Sequence, residues 1–89
     1  MTEPVLLGID AGTSAVKVCA VSTDGRVLAK AQRPVPVVTA LPLWAEIDLE
    51  RYWGLVCEAL REVTARVGAV AGVGLSTTCP TTLVLDADG

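Results

Sequence analysis

The run from Leu6 to Ser22, Leu-Leu-Gly-Ile-Asp-Ala-Gly-Thr-Ser-Ala-Val-Lys-Val-Cys-Ala-Val-Ser, admits few folds. Two apolar, β-prone segments are separated only by Ala11-Gly12-Thr13-Ser14. Each segment is too short for a helix. A parallel return needs a crossover of about a dozen residues or more, so the two must pair as an antiparallel hairpin. Val5 to Asp10 is the first expected strand, apolar on both faces. Ala15 to Ser22 is the second, with Val16, Val18 and Ala20 on one face and Lys17, Cys19 and Val21 on the other. Gly12 is expected to supply the positive φ that such a turn often uses.

The rest of the chain extends this start. Thr23-Asp24-Gly25 suits a type I′ hairpin turn, and Arg26 to Arg33 alternates as a third strand near an edge, completing an antiparallel meander. Pro34, Pro36 and Pro42 break regular structure, so 34–47 reads as an extended loop. Asp48 is a good N-cap, and Glu50 suits the first turn of the helix that follows. From Leu49 to about Val67, Tyr52, Val56, Leu60, Val63 and Val67 form one apolar face, widened by Trp53 and Ala59. Gly68 is the expected C-cap. Val70 to Leu75 reads as a fourth strand, Ser76 to Pro80 as a polar interruption, and Thr81 to Leu85 as a fifth strand. Asp86-Ala87-Asp88-Gly89 has the character of a turn that launches another strand, so the chain reads as part of a larger domain. A sheet edge left bare at Thr81 to Leu85 is expected to make the isolated chain self-associate.

Composition narrows the classes. The 89 residues contain no Phe and few other aromatics, so the core must be a thin Ala/Val layer. A net charge of −3, with no basic run, argues against nucleic acid as a partner. No stretch approaches the ~20 apolar residues of a membrane span, and the N-terminus lacks the pattern of a signal peptide. Cys19, Cys57 and Cys79 are odd in number and widely spaced, and His is absent. That pattern argues against a disulfide scaffold or a zinc site and fits a reducing cytoplasm.

Asp10 poses the chemical question. A carboxylate at the end of a buried strand must be hydrated, paired or bonded to turn amides. It sits where a sheet opens to solvent, before a turn of Gly12, Thr13 and Ser14 that offers backbone N–H groups and two hydroxyls. Such a concavity suits phosphate oxygens, with Mg²⁺ between phosphate and carboxylate and Lys17 adding positive charge. The same residues also make a self-contained turn in which Asp10 accepts from its own amides. On local chemistry both readings stand. Walker and Rossmann glycine patterns are both absent.

Gly8-Ile9-Asp10-Ala11-Gly12-Thr13-Ser14, Lys17 and Asp24-Gly25 together resemble the first phosphate motif of the FGGY carbohydrate kinases. Leu43-Trp44-Ala45-Glu46-Ile47-Asp48 resembles the segment before the first helix in xylulokinase-like members, with Ile47 and Leu49 departing from the usual Gln and Pro. Gly72 to Ser76 and Leu83 to Gly89 are similar to the next strand pair. The resemblance implies an α/β, ribonuclease H-like fold of the actin/hexokinase/Hsp70 superfamily. Residues 1–89 would be the N-terminal part of its first domain: a three-stranded meander, one long helix and two further strands.

It further implies ATP-dependent phosphorylation of a sugar or polyol hydroxyl by the full-length enzyme, with a homodimer as the expected assembly. Asp10 would then lie at Mg²⁺ and the transferred phosphoryl group, with Gly12, Thr13, Ser14 and Lys17 around the ATP phosphates. The general base and adenosine motifs would lie beyond these residues, leaving the 89-residue piece inactive alone. On the acceptor side, Ser76-Thr77-Thr78-Cys79-Pro80-Thr81 lacks the Arg-Glu of glycerol kinases and the Met-His of xylulokinases and is closer to ribulokinase-like members. Thr77, Thr78 and Cys79 are the candidate sugar contacts. Trp44 is expected to anchor its loop, and Glu46 and Asp48 to serve helix entry. Two other classes remain on the sequence: another ATPase of the same superfamily, and a non-catalytic interaction module.

Overall fold

The computed structural model describes residues 3–78 and 83–89. Strands β1 (Val5–Ala11), β2 (Ala15–Ser22) and β3 (Val27–Pro34) are followed by helix α1 (Leu49–Thr64) and strand β4 (Val70–Thr77). They form a four-stranded sheet in the order β3-β2-β1-β4. The first three strands are the expected antiparallel meander, and β4 returns parallel to β1 on its other side. This return places the ends of β1 and β4 and the start of β2 at one rim of the sheet.

Alternation along β1 and β2 sorts the faces. Val5, Leu7, Val16, Val18 and Ala20 are buried under α1 together with Ala29 and Ala31 of β3. From the helix come Val56, Ala59 and Val63, the last two fully buried. The small side chain of Ala59 lets the helix approach the sheet closely, which replaces bulk with proximity in a core that has no Phe. Fully burying a valine contributes about 1.5–3 kcal/mol, so Val63 and Val16 are among the main anchors of this layer. Arg33 on β3 adds a charged tie, donating to Glu62 of α1 at 2.8 Å with Glu58 3.7 Å away.

Several expectations need correction. Trp53 does not widen the buried stripe; it is 64% exposed, and Leu55 packs against the core instead. The helix ends at Thr64 with Ala65 as its cap, short of Gly68. There the Thr64 hydroxyl donates to the Leu60 carbonyl, Ala65 N–H still bonds Arg61 four residues back, and the Arg66 and Val67 amides bond three residues back, tapering the helix without a left-handed residue. The β2–β3 turn is not type I′, because its positive φ falls on Gly25 alone (φ 92°). Gly25 N–H donates to the Ser22 carbonyl, and the buried Ser22 hydroxyl bonds Asp24, which gives the three-residue loop with a left-handed glycine.

The segment 34–47 is not wholly extended. Val38 and Glu46 exchange two backbone hydrogen bonds, forming a small hairpin whose tip carries Leu43 at φ 69°. Trp44 does not anchor that loop in a core; it is 56% exposed. The expected fifth strand falls partly on residues 79–82, outside the described residues, and 83–85 carry no strand pairing among the described residues. Among the described residues the edge beside β1 is β4, and its Val73 and Leu75 are exposed because α1 packs chiefly over β2 and β3.

Candidate functional site

The rim at the ends of β1 and β4 gathers most of the residues singled out by the sequence. Asp10 pairs with Lys17 across β1–β2 and with Ser76 across β1–β4. Directly paired residues share a face, so these three make one polar row on the side of the sheet away from α1. They line a shallow recess of about 440 Å³. Asp10 is exposed, as a carboxylate must be when no partner offsets its desolvation.

Beyond Asp10 the chain turns through Gly12, Thr13 and Ser14. Gly12 does not use the left-handed region, contrary to the expectation from sequence. Its requirement is space. Its N–H donates to the Ala15 carbonyl at 3.1 Å, and a Cβ would stand 3.0 Å from that oxygen and 3.7 Å from Asp10 Oδ1.

The polar groups of the turn are divided by direction. The Gly12 carbonyl accepts from the Tyr52 phenol at 2.8 Å, and the Ser14 carbonyl accepts from Val35 N–H at 2.9 Å. The N–H groups of Thr13 and Ser14 have no acceptor among the described residues. The Gly12 and Ser14 carbonyls are thus tied down while two successive amides stay open, which concentrates positive partial charge at the turn. The self-contained alternative, with Asp10 accepting from its own turn amides, is not what forms.

The acceptor-side candidates meet this turn. Thr13 Oγ1 lies 3.1 Å from Thr78 Oγ1, and Thr78 N–H donates to the Ala11 carbonyl at 3.2 Å. Thr77 pairs with Ala11 in the parallel register. Gly12, Thr13, Tyr52, Ile47, Thr77 and Thr78 line a cleft of about 430 Å³ on the α1 side of the rim. Cys79 lies outside the described residues. Trp44 is not among the cleft residues; Ile47 from the same loop is.

Tyr52 reaches the turn because Asp48 starts the helix where it does. The Asp48 carboxylate accepts from Arg51 N–H at 3.2 Å, and its carbonyl takes Tyr52 N–H at 2.9 Å. Tyr52 therefore stands one turn into α1, facing the rim. Partial burial, and then the negative charge of Asp10, push its phenol above the ordinary value, so it remains a donor at neutral pH. The sequence reading gave Tyr52 a packing role only. The available signal was a polar-tipped aromatic at the edge of the buried stripe, directly after the cap.

For a cation, Asp10 is the carboxylate at hand. Among the described residues no group of three or more His, Cys, Asp or Glu gathers as a metal cage. One carboxylate at an open rim beside free amides fits Mg²⁺, which keeps several waters and shares phosphate oxygens, rather than a structural metal.

Comparison with known proteins agrees along the length of the chain. The family model described as "FGGY family of carbohydrate kinases, N-terminal domain" matches residues 5–89. A glycerol kinase from Gloeobacter violaceus is 37% identical over 83 residues, covering 92% of this chain and 17% of that protein. An apulose kinase from Pectobacterium atrosepticum is 35% identical over 88 residues, covering 97% of this chain and 18% of that protein. Among solved structures, a xylulose kinase from Rhodospirillum rubrum superposes with a TM-score of 0.84 at 27% identity, over 96% of this chain and 18% of that one. The chain thus spans under a fifth of the length of the relatives it matches.

Proposed function

The chain belongs to the FGGY family of carbohydrate kinases, and from that premise we propose that the protein it forms part of transfers a phosphoryl group from ATP to a hydroxyl of a sugar or polyol. The observation that carries this is the turn after β1, with two open amides beside an exposed carboxylate. The Thr13 and Ser14 N–H groups bind phosphate oxygens of the nucleotide, and Gly12 lets them approach. Asp10 holds Mg²⁺, directly or through its waters. When bound, the metal supplies charge neutralisation for the transferring group. Lys17, opposite Asp10 in the register, adds positive charge to the same face.

Thr77 and Thr78 contribute to the acceptor side, and Cys79 extends that segment in sequence. The hydrogen-bonded pair Thr13 and Thr78 puts acceptor and nucleotide sides in register. Transfer of this kind is achieved mainly by positioning and electrostatics, which suits a site made of amides, hydroxyls and one carboxylate. The general base that takes the acceptor proton, and the adenosine contacts, are assigned to the part of the relatives' length not covered here. The reaction is placed in the cytoplasm, where ATP is available, with no role for nucleic acid or membrane. The net charge of −3 supports the first exclusion. No helix among the described residues is long and apolar enough to cross a membrane. The full-length enzyme is proposed to act as a homodimer.

The test is ADP release by the full-length protein across a panel of ketoses, aldonates and polyols, for the wild type and Asp10→Asn. Turnover on at least one acceptor, lost in Asp10→Asn with the fold retained, is the expected result. Unchanged turnover in the variant removes Asp10 from the site. No turnover by the wild type with any acceptor removes the kinase assignment.

A further inference from the structure

The Gly12–Thr13 peptide is a single planar unit. In a trans peptide the carbonyl of one residue and the N–H of the next point in opposite directions. Whatever holds the Gly12 carbonyl therefore also aims the Thr13 N–H. Glycine leaves this plane poorly determined by local sterics, since it permits a wide range of backbone angles. A turn of Gly, Thr and Ser would otherwise sample several plane orientations, and only some present the Thr13 amide outward.

In this structure one side chain outside the turn holds that carbonyl. The Tyr52 phenol donates to the Gly12 oxygen at 2.8 Å, across 40 residues of sequence. Tyr52 is itself fixed, one turn beyond the Asp48 cap and packed against the core. The Thr13 N–H consequently points away from α1, and it has no acceptor among the described residues.

We propose that Tyr52 is a positioning residue for phosphate binding: by holding the Gly12 carbonyl it locks the peptide plane that presents the Thr13 amide to the nucleotide. This rests on the phosphate-binding role given to the turn above. Tyr52 touches neither nucleotide nor acceptor in this role; it acts through the Gly12–Thr13 peptide. The raised phenol keeps its proton at neutral pH, so the donor is not lost under working conditions. Phenylalanine preserves the ring and its packing while removing only the donor.

The experiment compares full-length wild type, Tyr52→Phe and the core variant Val63→Ala. Readouts are KM for ATP, KM for the acceptor, affinity for Mg·ADP by calorimetry, and Tm. Loss of one neutral hydrogen bond that aims an amide should weaken nucleotide binding about three- to tenfold. The expected result for Tyr52→Phe is that rise in ATP KM and Mg·ADP Kd, with acceptor KM and Tm close to wild type. Val63→Ala should lower Tm and leave both KM values unchanged. Nucleotide affinity in Tyr52→Phe equal to wild type overturns the proposal. So does a loss that accompanies an equal rise in acceptor KM and a fall in Tm, which would mark a structural role. A wild type that binds no Mg·ADP overturns the phosphate-site assignment itself, and the Tyr52 role with it.

Discussion

The hydroxyls of Thr13 and Thr78 lie 3.1 Å apart, joining the turn after β1 to the end of β4 across 65 residues of sequence. One belongs to the proposed phosphate side and the other to the proposed acceptor side. Parallel pairing of β1 and β4, with Ala11 opposite Thr77, brings them together.

This pair should couple the two substrates. In the full-length enzyme, Thr13→Val is expected to raise KM for ATP and Thr78→Val to raise KM for the acceptor. In the double variant the losses in kcat/KM should fall short of additivity by about 0.5–1.5 kcal/mol. Strictly additive effects would mean that the contact carries no coupling.

Gly12→Ala tests why glycine stands in the turn. The added Cβ would stand 3.0 Å from the Ala15 carbonyl, tighter than ordinary contact, with backbone rather than a flexible side chain opposite. The hairpin must open, at a cost of about 1–3 kcal/mol in stability. A lowered Tm together with weakened nucleotide binding is expected. A Tm equal to wild type would show that the turn relaxes without cost.

The tie between β3 and α1 sets an acid dependence. A hydrogen bond from Arg33, then its positive charge, holds the Glu62 carboxyl below the ordinary value of 4.5 despite the opposing effect of desolvation. The folded state therefore binds this proton less readily than the unfolded chain. The contribution to stability is present above the ordinary value and is lost as pH falls through the lowered one. Melting curves of wild type and Glu62→Gln should differ near neutrality and converge in acid. A difference that widens on acidification would reverse the assignment.

The isolated chain should associate with itself. Val73 and Leu75, 61% and 68% exposed, lie on an edge strand that α1 does not cover. A bare apolar edge of this kind templates pairing between chains. Light scattering of the isolated chain should report species larger than a monomer; a stable monomer would show that the edge is protected.

These residues also show what the sequence could and could not convey. The ends of β2 and the start of α1 were legible because alternation, the Asp48 cap and helical spacing are local signals. The type I′ turn expected at Thr23-Asp24-Gly25 does not form because Gly25 alone takes positive φ, and the Asp-Gly pair by itself does not specify whether one residue or two will do so. At Gly12 the residue was singled out for backbone freedom, whereas the need is close approach by Ala15, which depends on strand pairing. Tyr52 could not be linked to Gly12 at all, since that bond exists only once α1 has docked on the sheet. The Asp10, Gly12, Thr13 and Ser14 cluster was visible as a pattern, but which amides remain open was not.

The most direct measurement is a crystal structure of the full-length protein grown with Mg²⁺ and a non-hydrolysable ATP analogue. The account predicts phosphate oxygens within hydrogen-bond distance of the Thr13 and Ser14 amides, with the metal held by Asp10 directly or through water. A nucleotide bound elsewhere, with those two amides facing only solvent, would contradict it.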